Sequence, residues 1–262
     1  MWQPKPDASA FYIRYKSNPY LWRYPSCTAA DALDCLRAVD VAFLQDINLG
    51  ILNAGFFGTF QFAPVVDGSF IMRSPTDLLA EGTLNGDTLL SVTNSNEGTI
   101  FVNQNVEYDV VQYVRELFPL FGATESVVVA SIYGSVGSRL DQVNTIVGES
   151  TFVCPTYRLL DVFPGKSYKG AYAILPALHA DDVFYYFPSY TYPDSSLHFN
   201  NTMFRNTFSQ GFLSFAAHLN PNAKLVPSIT PAWQKWSDAQ TEMVFNKTEG
   251  GAPLIMAAPS LL

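Results

Sequence analysis

Apolar residues along this chain fall into two kinds of spacing, one helical and one extended. Residues 41–52 (VAFLQDINLGIL) and the shorter 28–39 (TAADALDCLRAV) carry helical spacing, the latter with Thr28 as a candidate N-cap. SPTDLLAEG, 74–82, reads as a capped helical turn that stops at Gly82. Helical patterns follow over 110–118, 125–133 and a long stretch from 138 to 163, in which Pro155 should begin or kink the last part. From 202 to 219, Phe204, Phe208, Phe212, Phe215 and Leu219 recur three or four residues apart, one face of an amphipathic helix.

Two segments have a different character. Residues 88–93 (TLLSVT) are a nearly continuous apolar run, expected as a strand buried on both faces, as in parallel sheets. Residues 166–175 (KSYKGAYAIL) form the second. Strands separated by helices indicate an α/β protein. Two strands are too few for a parallel sheet, so the chain reads as holding an incomplete one. Between the early helices, FGTFQFAPVVDGSF crowds aromatic residues ahead of a sharp turn at Asp67-Gly68.

Composition narrows the function classes. The 262 residues are 48% hydrophobic and 15% aromatic, enough for a sizeable core. A formal charge of −8 repels phosphate backbones and argues against nucleic acid as a partner. No apolar run reaches the roughly 18–20 residues of a membrane-spanning helix. The start, MWQPKPDASAFYIRYK, has prolines and charges where a secretory signal would have its apolar stretch. Sequons at Asn200 and Asn246 nevertheless fit a secreted parent protein. Residues 1–26 read as an atypical segment, disordered or misjoined, ahead of a single unit over 27–262. Cys27 and Cys35 are close enough for a local bridge, and Cys154, in an apolar segment, reads as a buried free thiol. The three histidines are scattered, without the spacing of a metal site. Nothing in the sequence specifies an oligomeric state.

The chemistry lies just past the two strands. LLSVTNSNEGTIFVNQ, 89–104, delivers Glu97 in a polar turn, and PALHADDVFYYF, which follows the second strand, delivers His179. Loops at the carboxyl edge of an open α/β sheet are where reactive groups gather. A carboxylate and an imidazole presented there can pair, the acid orienting the ring and stabilising the imidazolium once it takes a proton. Spacing alone leaves the plainer alternatives open: Glu97 as a solvated turn residue, His179 as a structural histidine. His198 and His218 fit the structural case, His218 lying at a helix end where a cation suits the last carbonyls. Gly98 reads as the residue that permits the tight turn after Glu97.

CLRAVD, FAPVVDGSFI, SPTDLLAEG, LLSVTNSNEGTIFVNQ, FVCPTY and ALHADDVFYYF together resemble, in order, the C-terminal half of the type-B carboxylesterase/lipase family, which includes fungal lipases, sterol esterases and cholinesterases. The similarity runs from about Cys27 to about Pro221, with a fungal flavour. It implies an α/β-hydrolase fold and a Ser-Glu-His triad that acts on a carboxylic ester or lipid without cofactor or metal. Glu97 falls on the family's acid and His179 on its histidine. Asp182, three residues beyond, is expected to buttress the histidine loop. Cys27 and Cys35 fall where the family has a disulfide loop.

The nucleophile of that triad is missing. No G-x-S-x-G occurs; GESTF, 148–152, begins correctly but breaks at Phe152 and lies between acid and histidine, so Ser150 reads as a helix residue. YGSVGS, 133–138, reads as a turn and not as an oxyanion loop. Two readings of different class follow. In one, the chain is the acid- and histidine-bearing fragment of a serine ester hydrolase, inactive alone; in the other, it is a non-catalytic, esterase-like interaction protein. An organophosphonate serine probe should leave the purified chain unmodified by intact-mass measurement; an adduct would mean that a nucleophile had been overlooked.

Overall fold

A computed structural model describes residues 32–60, 64, 66–187 and 199–260. Their contacts divide the chain into two units, 1–77 and 78–262. In the first, α1 (Ala32–Ala38) precedes α2 (Val41–Asn53), whose N-terminus is capped by the Asp40 carboxylate accepting from Ala42 and Phe43. The expected cap Thr28 lies outside the described residues, as does Cys27; Cys35 is disulfide-bonded. The Asp67 carboxylate accepts three amides, from Ser69, Phe70 and Ile71, and Gly68 takes φ 76°. These bonds lower the pKa of Asp67 and account for the Asp-Gly turn. Helix α3 (Pro75–Ala80) has Ser74 at its start and ends before Gly82 at φ 66°, as the pattern predicted.

Among the described residues the second unit is built on four strands in the order β1 (Leu89–Asn94), β2 (Ser167–Tyr172), β3 (Thr241–Lys247) and β4 (Pro253–Pro259). The first three are parallel, and β4 returns antiparallel to β3. Only the first two are legible in the hydrophobic pattern. Strand β3 hides because its buried residues include Glu242, which interrupts the continuous apolar run expected of a strand with a neighbour on each side, and β4 because it is an edge strand with proline at both ends. The first four residues of β1 are only partly buried, against the expectation of burial on both faces, because β1 is the other edge of the sheet.

One sheet face carries Tyr168, Tyr172, Met243 and Phe245. It packs against Phe204 and Phe208 of helix α9 and against Trp233. Between the sheet strands lie α4 (Val110–Leu117), α5 (Ala123–Ile132), α6 (Arg139–Gly148) and α7 (Cys154–Asp161); α8 (Val183–Tyr186), α9 (Thr202–His218) and α10 (Trp236–Ala239) follow β2. The opposite face holds Leu89 against Tyr157, Leu160 and Trp236. It also holds Lys169, fully buried, 3.2 Å from the buried Glu242 and donating to Thr93 Oγ1 at 2.8 Å. Burial holds the Lys169 pKa below its ordinary range, against the opposing pull of Glu242.

Residues 138–163 are not one helix. Between α6 and α7, Glu149–Val153 form a π-helical turn closed by Cys154 N–H donating to Glu149 C=O, five residues back. Pro155, with no N–H to give, opens α7. Ser150 lies inside this turn. Cys154 is free but exposed, not buried as its apolar neighbours suggested. No helix among the described residues is long and apolar enough to cross a membrane.

Gly170, on the packed sheet face, has no free space for a side chain. A Cβ there would stand 2.9 Å from Val92 Cγ2 and 3.0 Å from Trp233 Cζ2. Gly170→Ala is expected to lower unfolding free energy by about 1–3 kcal/mol, measured by urea denaturation followed through tryptophan fluorescence; an unchanged midpoint would contradict this packing.

Candidate active site

Strands β1 and β2 run parallel with Asn94 opposite Tyr172. The pairing continues past both ends. Ser95 N–H donates to Tyr172 C=O at 3.0 Å, Asn96 N–H to Ala177 C=O at 2.9 Å, and the Asn96 side chain to Pro176 C=O at 2.7 Å. The loop after β1 and the loop after β2 are thereby held side by side, and the two residues singled out from sequence meet. Glu97 Oε2 lies 2.6 Å from His179 Nδ1.

The acid is almost fully enclosed, at 5% exposure, while the His179 side chain keeps 37%. Glu97 Oε1 accepts the Asn94 amide at 2.6 Å and the Asn94 carboxamide at 3.3 Å. With both oxygens accepting, the imidazole hydrogen belongs on Nδ1, and Nε2 is the nitrogen left to exchange a proton. The Asn94 carboxamide also donates to Asp182 Oδ1 at 2.9 Å, and the Tyr186 hydroxyl donates to Asp182 Oδ2 at 2.6 Å. Asp182, the residue that the family resemblance implied as a buttress of the histidine loop, is thus bonded to Asn94 and Tyr186. Burial first, and then the Asp182 carboxylate, push the Tyr186 pKa up, so this phenol stays a donor. The signals for these partners were the asparagine three residues before Glu97 and the tyrosine one helical turn after Asp182.

Gly98 is required for a different reason from the one the sequence suggested. Its φ of −79° is open to any residue. A Cβ on it, however, would fall 1.9 Å from Asn144 C=O and 2.6 Å from Gly148 N. Helix α6 lies with its backbone directly on the acid loop. A cavity of about 290 Å³ opens beside this contact, lined by Asn94, Glu97, Asn144, Glu149 and Glu242 among others. The His179 ring meets Phe152 at 4.5 Å and Phe101 at 5.2 Å between centroids. Phe57 and Phe60, from the aromatic run ahead of the Asp67-Gly68 turn, belong to the first unit. His218 is exposed at the end of α9, and His198 lies outside the described residues. Among the described residues no cluster of His, Cys, Asp and Glu could hold a metal.

Comparison with known proteins adds a family to this geometry. The carboxylesterase family model matches residues 20–252. The chain belongs to the carboxylesterase family. Its fold is an incomplete α/β-hydrolase, similar to EstA of Aspergillus niger (TM-score 0.77, 18% identity) and to PNB esterase (TM-score 0.71, 17% identity), with 99% of this chain superposed on 54% of each. In sequence it is 27% identical to the carboxylesterase patB of Penicillium expansum over 76% of this chain and 37% of that protein. It is also 27% identical to an acetylcholinesterase of Leptinotarsa decemlineata over 53% of this chain and 25% of that protein. The chain therefore spans about a quarter to a half of the proteins it matches.

Gly98→Ala should separate α6 from the acid loop. The expected loss is about 3 kcal/mol or more, because the clashing atoms are backbone and cannot rotate away. Chemical denaturation measures it; a variant as stable as the parent would place α6 elsewhere.

Proposed function

We propose that Glu97 and His179 are the acid and the base of a serine carboxylic ester hydrolase whose nucleophile is supplied by sequence outside this chain. The observation that carries this reading is the 2.6 Å contact between Glu97 Oε2 and His179 Nδ1 at the ends of adjacent parallel strands. A serine hydroxyl would attack the ester carbonyl while His179 Nε2 takes its proton. The imidazolium so formed is stabilised by Glu97 and returns the proton to the leaving alcohol oxygen. Water then hydrolyses the acyl-enzyme with His179 again as base. The substrate is a small-molecule carboxylic ester or lipid.

Family membership and the patB likeness support ester hydrolysis, and the absence of G-x-S-x-G from these 262 residues supports an inactive fragment. An oriented acid and histidine without a nucleophile cannot form the acyl-enzyme, and the loss amounts to several orders of magnitude in rate. The Penicillium relative favours a fungal source, and the sequons favour a secreted parent, Asn200 being exposed.

The test is hydrolysis of a p-nitrophenyl ester by the protein extended upstream through a G-x-S-x-G segment. There, Glu97→Gln is expected to lower kcat by about 10⁴-fold, with the melting temperature recorded alongside. Unchanged turnover would remove Glu97 from the mechanism, and an upstream reading frame with no such segment would remove the fragment reading.

A further inference from the structure

A bond from Nδ1 to Glu97 fixes one atom of the His179 ring but leaves the ring able to swing about it. With 37% of the side chain exposed, solvent does nothing to prevent that motion. Two aromatic rings stand where they can. Phe101, at the end of the Thr99–Phe101 turn that follows the acid, meets the imidazole edge-on at 5.2 Å and 67°. Phe152 lies against it at 4.5 Å and 38°. The two phenyl rings also touch each other, at 5.3 Å, so the three rings form a closed set.

Phe152 is held there by the π-helical turn. That turn begins directly after Gly148, the residue lying against Gly98 in the acid loop. Its first side chain, Glu149, accepts the Tyr133 hydroxyl at 2.6 Å, and its last bond runs from Cys154 N–H to Glu149 C=O. A single helical element is thus pinned on the acid at one residue and presents a ring to the histidine four residues later.

We propose that Phe152 is a positioning residue for His179, holding the imidazole in the plane where Nδ1 meets Glu97 and Nε2 faces the nucleophile. This rests on the reading of His179 as the catalytic base. The plainer role for Phe152 is to pack α6 and α7 onto the rest of the unit, which would affect stability without affecting the ring.

The two roles separate by NMR on the ¹⁵N-labelled chain. It has three histidines, so the His179 ring signals are assigned by their loss in His179→Gln. The parent is expected to show a low-field Nδ1–H resonance from the bond to Glu97. Phe152→Ala should speed the exchange of that proton with water by about tenfold, the upper end of what one aromatic contact supplies. Phe152→Leu, which keeps the apolar bulk, should speed it by about threefold; if the alanine variant does not fold, the leucine variant decides. Unchanged exchange in the folded variants, even with a lowered melting temperature, would overturn the positioning role and leave the Glu97–His179 pair standing. A parent chain without the resonance would remove the pair itself, and with it both this inference and the catalytic reading.

Discussion

Asn96 gives its backbone N–H to Ala177 and its side-chain amide to Pro176, joining two loops that leave the sheet from neighbouring strands. A parallel strand pair ordinarily loses its partner contacts where the strands stop, and the loops diverge. Here the register set by Asn94 opposite Tyr172 is carried onward to a bridge between Asn96 and Leu178. Glu97 and His179 each follow that bridge by one residue. Two side chains separated by 82 positions in sequence meet because the backbone pairing leaves them little room to do otherwise.

What the pairing brings together is electrostatically costly. Glu97, Asp182 and Glu242 are all buried, and among the described residues the fully buried cation is Lys169. Buried carboxylates persist only when their lone pairs are satisfied. Asn94 does this for two of them at once, with its carboxamide nitrogen donating to both Glu97 and Asp182. A neutral amide between two acids supplies donors without adding a charge that would compete with His179 for Glu97. The carboxamide oxygen of Asn94 is buried and has no hydrogen-bond partner among the described residues. Leaving such an atom unsatisfied costs about 1–3 kcal/mol, and the bonds made by the nitrogen offset it.

The parts of this arrangement that repeat were legible in the sequence; the parts that depend on close approach were not. The phenylalanine spacing of α9 and the strand before Glu97 are periodic signals, and so they appear in the pattern. Strand β3 was hidden because Glu242 points into the core to meet Lys169, a tertiary pairing that no local period records. The break of the long helix at Glu149 was hinted at by Pro155 but not located, since a π-helical turn leaves the composition unchanged. Gly98 was recognised as necessary for the wrong reason. Its backbone angles are ordinary, and the constraint is the carbonyl of Asn144 from a helix more than 40 residues away. Asn94 and Tyr186 passed unremarked because each acts through another residue.

The histidine loop also carries strain. Ala177 and Ala180, at φ 50° and 74°, flank His179 in the left-handed region, where a residue with a Cβ is disfavoured by roughly 1–2 kcal/mol. Such conformations persist only where their surroundings over-determine them. Here the surroundings are Asn96 on Ala177, the Asp181 carboxylate on Leu178 N–H at 2.8 Å, and the buried Asn94–Asp182–Tyr186 chain just beyond. Glycine at these two positions would remove the strain and with it the stiffness, since its unfolded and alternative conformations are more numerous. Alanine at both therefore fits a loop whose task is to hold one imidazole in place: Asn94, which donates to Asp182 in this loop, also donates to Glu97, so the histidine loop and the acid share a partner.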